Sequence, residues 1–235
     1  MNHSISRILV ALVFAITVSV QAKASVHSKS TIVESPSDLP ELARGRSEAM
    51  YLLHTHDAQA ILYLERDHGK TLAILDVTDP ANMKAIGQVS VDAPSAYDFV
   101  QYVGNLRALI HYRNHSGFAV LNFKNYKQPL LVAEPEYLHP ATVQSEGPSG
   151  LMLVSSSGSS ANAASTPTGT PEYEAFNILN SATATPLATI QGVIQRVDRP
   201  STGTIFLLND QGVTVVRCLA AEREHQAERA QKDSN

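Results

Sequence analysis

The chain has 235 residues, 43% of them apolar and 6% aromatic, with no tryptophan. That is enough apolar content for one ordinary domain or a compact repeat array, and it fits neither a disordered chain nor a bundle of membrane spans. Eighteen basic against 22 acidic side chains give a formal charge of −4 without a basic run, so nucleic acid and anionic membrane surfaces are poor partners, and the missing indoles argue against a sugar-stacking platform.

At the N-terminus Arg7 precedes an apolar run from residue 8 to residue 20, followed by Gln21-Ala22-Lys23-Ala24-Ser25. A short positive flank, an apolar stretch of about a dozen residues and a small-x-small exit describe a signal peptide cleaved after Ala24, because a membrane span needs roughly 20 apolar residues. The expected location is therefore periplasmic or secreted, with no stable membrane insertion after processing. No cysteine follows the run, so no lipid anchor is expected at that site. Cys218 is the only cysteine of the chain, so an intrachain disulfide cannot brace the fold. It reads as a small buried hydrophobe.

Residues 25–46 are polar, with Pro36, Pro40 and one apolar group at Thr31-Ile32-Val33. They form a linker with a possible lone strand. From residue 47 to residue 218, apolar residues alternate or run in groups of four to six between turn clusters such as Asp67-His68-Gly69 and Asn209-Asp210-Gln211-Gly212. Period two with Gly and Asn punctuation predicts antiparallel strands and hairpins. Residues 219–235 are rich in Ala, Glu, Arg and Gln, which predicts a solvated helix or disordered tail.

Four segments align on one another, beginning at residues 72, 118, 176 and 213, with steps of 46, 58 and 37. In three of them a glycine turn and a further apolar strand precede the aligned strand, at 60–64, 108–112 and 204–208. A proline and an outer strand follow the first three, at 85–91, 130–133 and 187–190, and an inner strand precedes each unit at 50–55, 96–103, 137–143 and 192–197. Four strands per unit and about 40 residues per repeat describe an all-β, β-propeller-like chain of about four blades. The long step contains residues 155–171, a Ser, Ala, Thr and Gly tract lodged where the other units turn tightly. The fourth unit lacks an outer strand, which Thr31-Ile32-Val33 would supply, covering an exposed edge. A β-sandwich of irregular strands is the competing architecture.

The segment Leu72-Ala73-Ile74-Leu75-Asp76-Val77-Thr78-Asp79-Pro80 resembles an LVIVD repeat, the signature of a group of exported bacterial β-propeller proteins. The other three units keep the apolar half of the pattern and depart from it beyond. The resemblance implies a propeller and export, and it implies no reaction.

Asp76, Asn122, Asn180 and Arg217 form one aligned column, and the first reads as a turn cap rather than a catalytic acid. His54 and His56 lie at i and i+2 on a predicted inner strand, with His139 on the equivalent strand two units later. Alternation would place them on one channel-facing side, where they could hold a transition metal such as zinc or copper with Glu136 or Asp57. Hydrogen bonding within their own turn is the plainer role. His111 and His115 flank a hairpin turn and should face solvent. Gly147-Pro148-Ser149-Gly150 is no nucleophile elbow, and phosphate loops, paired CxxC motifs and calcium loops are missing from the sequence. The expected function is non-enzymatic binding or scaffolding of a protein or extracellular ligand through loops, and the competing one is metal-dependent chemistry at the channel histidines. Export with cleavage after Ala24 should give an intact mass that lacks residues 1–24; a membrane-bound product retaining them would contradict it.

Overall fold

The computed structural model describes residues 26–113, 117–132, 143–145, 152–154, 174–179 and 186–234. Two short strands open it, β1 (Val26–His27) and β2 (Thr31–Glu34), and two 3-10 turns lead onward. Two four-stranded antiparallel meanders follow. The first holds β3 (Ala49–His54), β4 (Ala60–Arg66), β5 (Thr71–Asp76) and β6 (Lys84–Ser90) in that order. The second holds β7 (Tyr97–Tyr102), β8 (Arg107–Tyr112), β9 (Phe118–Asn122) and β10 (Leu130–Val132).

Two two-stranded pairs come next, β11 (Val143–Ser145) with β12 (Met152–Val154) and β13 (Glu174–Leu179) with β14 (Pro186–Val193). The last sheet is built from β15 (Gln195–Arg199), β16 (Thr204–Asn209) and β17 (Gly212–Cys218), and α1 (Leu219–Asp233) ends the chain. β17 is not the edge of that sheet. β2 pairs antiparallel with it, Val33 opposite Val216 and Ile32 opposite Arg217, giving the order β1-β2-β17-β16-β15. The apolar triplet at Thr31-Ile32-Val33 thus supplies the strand that the fourth unit lacks.

Alternation explains how the sheets stack. On β4, Ile61 and Tyr63 point to one face, with Leu72 and Ile74 of β5, and pack against Tyr97, Ile110, Ala119, Leu121 and Phe123 of the second meander. Ala60, Leu62 and Leu64, with Ala73 and Leu75, point to the other face and meet Phe206, Leu208, Val213 and Val215 of the last sheet. The last sheet in turn covers the β13–β14 pair through Val33, Leu207 and Val216, against Phe176, Ile178 and Ile190. β3 lies beside β7 on one flank and β15 on the other. The described strands form separate stacked sheets and do not close into a barrel.

Several boundaries differ from the sequence expectation. β14 continues to Val193 instead of ending at Ile190, so the strand expected at 192–197 begins only at Gln195. Gly192, at φ +67°, lies inside β14 where the pairing with β13 slips between Glu174–Val193 and Phe176–Ile190, and only Ile194 separates β14 from β15. Of the third unit's inner strand expected at 137–143, only Val143 is described, where it opens β11, and residues 137–142 lie outside the described residues. The low-complexity tract at 155–171 does too. The C-terminal tail is a helix of 15 residues, and it is not wholly solvated, because Glu222 is buried.

The N-terminal segment locks onto the last hairpin at Gly212, which has φ +124° and bridges Arg44. A Cβ there would stand 2.3 Å from the Ala43 carbonyl oxygen, so both conformation and space demand glycine. Gly212→Ala should cost about 2 kcal/mol or more, measured by chemical denaturation; an unchanged midpoint would contradict this packing.

Candidate functional site

β3 ends at His54, where Thr55 closes a turn: its amide donates to the Gln59 carbonyl at 2.9 Å, and its hydroxyl accepts from the Gln59 amide at 3.1 Å. His56 therefore lies in that turn, beyond the reach of strand alternation, and does not share a strand face with His54 as the spacing suggested. Partial burial, and then the guanidinium of Arg199, hold the His54 imidazole below its ordinary pKa. His139 and Glu136 lie outside the described residues, and among the described residues no three His, Cys, Asp or Glu side chains gather as a metal would require. His111 does not face solvent freely, since its ring stacks on Phe118 with centroids 4.5 Å apart. His115 and Asn180 are outside the described residues.

Asp76 behaves as the turn cap expected of it, with Oδ1 accepting from the Thr78 amide at 2.9 Å. Asn122 repeats the device with the Lys124 amide at 3.0 Å. Arg217, in the same column, does something else. It is buried, donating to Glu222 of α1 through Nε and Nη2, both at 2.8 Å, and to Glu34 of β2 through Nη1 at 2.7 Å. One guanidinium thereby ties β2, β17 and α1 together. Cys218 is a half-buried free thiol, and a Cβ on Gly203 would stand 3.0 Å from its own Cβ.

The helix held by Arg217 forms one wall of an open cavity of about 300 Å³. Glu222, His225, Gln226 and Arg229 face it from α1, and Thr78, Asp79 and Pro80 form the opposite wall. That turn is rigid. Arg199, 2% exposed, donates through Nη1 to the carbonyls of Val77 at 2.6 Å and Thr78 at 2.9 Å. Asp79 accepts from the Ala81 amide and the Asn82 side chain; burial opposes its ionisation, but these donors with Arg217 and Arg199 hold the carboxyl below its ordinary pKa. A second depression continues past Asp79 to Asn82 and Lys84. The cavity thus presents a fixed carboxylate opposite a guanidinium, an imidazole and an amide.

A different cluster occupies the other end of the first meander. Glu65 is 0% exposed, and no side chain hydrogen-bonds to either of its carboxyl oxygens. Burial first, then Glu48, raises its pKa to about 8, with the Gly69 amide and Arg113 pulling the other way. The Tyr97 hydroxyl is buried without a protein partner. At the rim, Arg113 Nη2 bonds to Asp98 and to the Glu48 carbonyl, each at 2.6 Å, and His68 Nδ1 lies 2.8 Å from Glu48.

The sequence matches no protein-family model and no curated protein. Replacing Arg217 with Met strands the Glu222 carboxylate in a buried site, which costs about 3 kcal/mol. Denaturation followed at once by far-ultraviolet ellipticity and by tyrosine fluorescence should show the helix loosening before the sheets; equal stability to wild type would remove Arg217 as the anchor of this wall.

Proposed function

We propose that the chain is an exported binding module of β-propeller type, akin to the LVIVD-repeat proteins, that recognises a protein or extracellular ligand at the sheet end where the Thr78–Pro80 turn meets α1. The stack of antiparallel meanders, and the N-terminal strand that covers the edge of the last sheet, favour a ring of blades closed by its two termini. Stacked sheets leave their ends and loops as the variable surface, and a rigid scaffold bearing loops is a common recognition platform.

One observation carries the reading: a cavity of about 300 Å³ whose two walls are fixed by buried arginines and whose lining mixes apolar surface with the polar groups of Asp79, Glu222, His225, Gln226 and Arg229. Fixed polar groups around a concave surface supply orientation and specificity to a bound molecule. The tract at 155–171 belongs to this proposal as a second recognition element, since a minimal turn would join its flanks at lower entropic cost.

Native mass spectrometry of the exported protein tests the proposal. Wild type should carry a bound molecule, Gln226→Trp should lose it by filling the cavity from the exposed face of α1, and deletion of residues 156–170 should weaken its capture while leaving the thermal midpoint unchanged. An empty wild type, or a Gln226→Trp variant as loaded as wild type, would sink it. Metal binding by His54, His56 and His139 draws on the environment that keeps His54 neutral, the ligating form of imidazole. Stoichiometric zinc or copper that disappears in His54→Ala would favour it instead.

A further inference from the structure

β4 presents three residues to the second meander, Ile61, Tyr63 and Glu65, and the third places a carboxyl where the pattern calls for a hydrocarbon. Tyr97 of β7 and Tyr112 of β8 stand in the facing layer. The charged groups around Glu65 come from every neighbouring element. Glu48 precedes β3, and Arg66, Asp67 and His68 belong to the end of β4 and the turn after it. Asp98 lies on β7, and Arg113 follows β8. β5 contributes apolar Leu72 opposite Glu65. Arg113 is committed to Asp98 and Glu48, His68 to Glu48, and Arg66 to the Ser47 hydroxyl and the Leu42 and Arg44 carbonyls, so none of these cations forms an ion pair with Glu65.

The joint is also tight. Gly69, at φ +91°, passes so close to the linker into β7 that a Cβ would stand 2.0 Å from the Ser95 carbonyl oxygen. Glu65 is 0% exposed, so a carboxylate forming there loses its hydration unless the layers part.

We propose that Glu65 is a proton-operated latch in the joint between the β3–β6 and β7–β10 sheets, holding the layers together while neutral and loosening the rim of Glu48, His68 and Arg113 when it ionises. The sign follows from its environment. The folded chain binds this proton more tightly than the unfolded chain, for which the reference value is 4.5. Stability is thus undiminished below that value, falls as pH rises toward about 8, and the joint opens as the folded carboxyl ionises. The latch lies at the sheet end opposite the cavity and stands independently of the binding proposal.

The test compares wild type with Glu65→Gln and His68→Gln across pH 5.5 to 9.5. The thermal midpoint of wild type should decline toward pH 8, the decline should vanish in Glu65→Gln, and it should persist in His68→Gln, which excludes the exposed His68–Glu48 pair as its source. At pH 9, amide exchange in residues 66–70 and 95–98, corrected for its intrinsic rate, should be about tenfold faster in wild type than in Glu65→Gln. Parallel pH profiles for wild type and Glu65→Gln would overturn the proposal. If Glu65→Gln does not fold, carbon-13 titration of the glutamate carboxyls in wild type decides it: one carboxyl with a midpoint above 7 supports the latch, and none above 6 refutes it.

Discussion

Burial of the β3–β6 sheet on both faces is the constraint from which the rest of the molecule follows. A sheet covered on one side alternates apolar and polar residues, but β4 and β5 are apolar at consecutive positions, Ala60 to Leu64 and Leu72 to Leu75. Each fully buried leucine or isoleucine gains about 1.5 to 3 kcal/mol, so neither face can be left to water. One face takes the second meander and the other takes the last sheet. With both faces used, only the sheet ends and the outer strands meet solvent. The cavity beside α1 and the Glu48–Arg113 rim both lie at such ends.

Most strands were legible because turns and alternation agree with one another. Gly69 and Gly117 precede β5 and β9, Gly212 opens β17, and strand assignments around them fall within two residues of the observed bounds. The covering role of Thr31-Ile32-Val33 was legible from a missing partner rather than from its own short pattern. Where expectation failed, a backbone event intervened. Gly192 reads as the opening of a new strand and instead lies near the end of β14, at a register slip where its φ is +67°. His56 reads as strand-borne, but Thr55 offers its hydroxyl to the Gln59 amide and ends the ladder at His54.

The site residues were harder to see. Glu65 follows Ile61 and Tyr63 at period two, which was a usable signal, yet charged residues near strand ends usually reach solvent. Arg217 stood in an aligned column with Asp76 and Asn122, and its different role depends on Glu34 and Glu222, residues 183 and 5 positions away that only the fold brings together. Arg199 works through backbone carbonyls of a turn 121 and 122 positions distant, and a carbonyl acceptor leaves no trace in side-chain sequence.

The two sheet ends solve the problem of buried charge in opposite ways. At the cavity end, Arg199 and Arg217 keep their charge against acceptors, two carbonyls at Nη1 for the first, whose buried Nε finds none, and two carboxylates for the second. Such pairing fixes geometry, because a guanidinium offers its donors in a planar fork and tolerates little rearrangement of the acceptors. The walls of the cavity are accordingly held in one arrangement over the whole range in which arginine stays charged. At the opposite end, Glu65 gives up its charge instead, and a neutral carboxyl costs little only while the proton remains. Pairing makes one end insensitive to its medium, whereas neutralisation makes the other depend on it. A single stack of sheets therefore carries a rigid end suited to recognition and a responsive end suited to sensing pH, and the difference traces to whether a counter-charge was placed within reach.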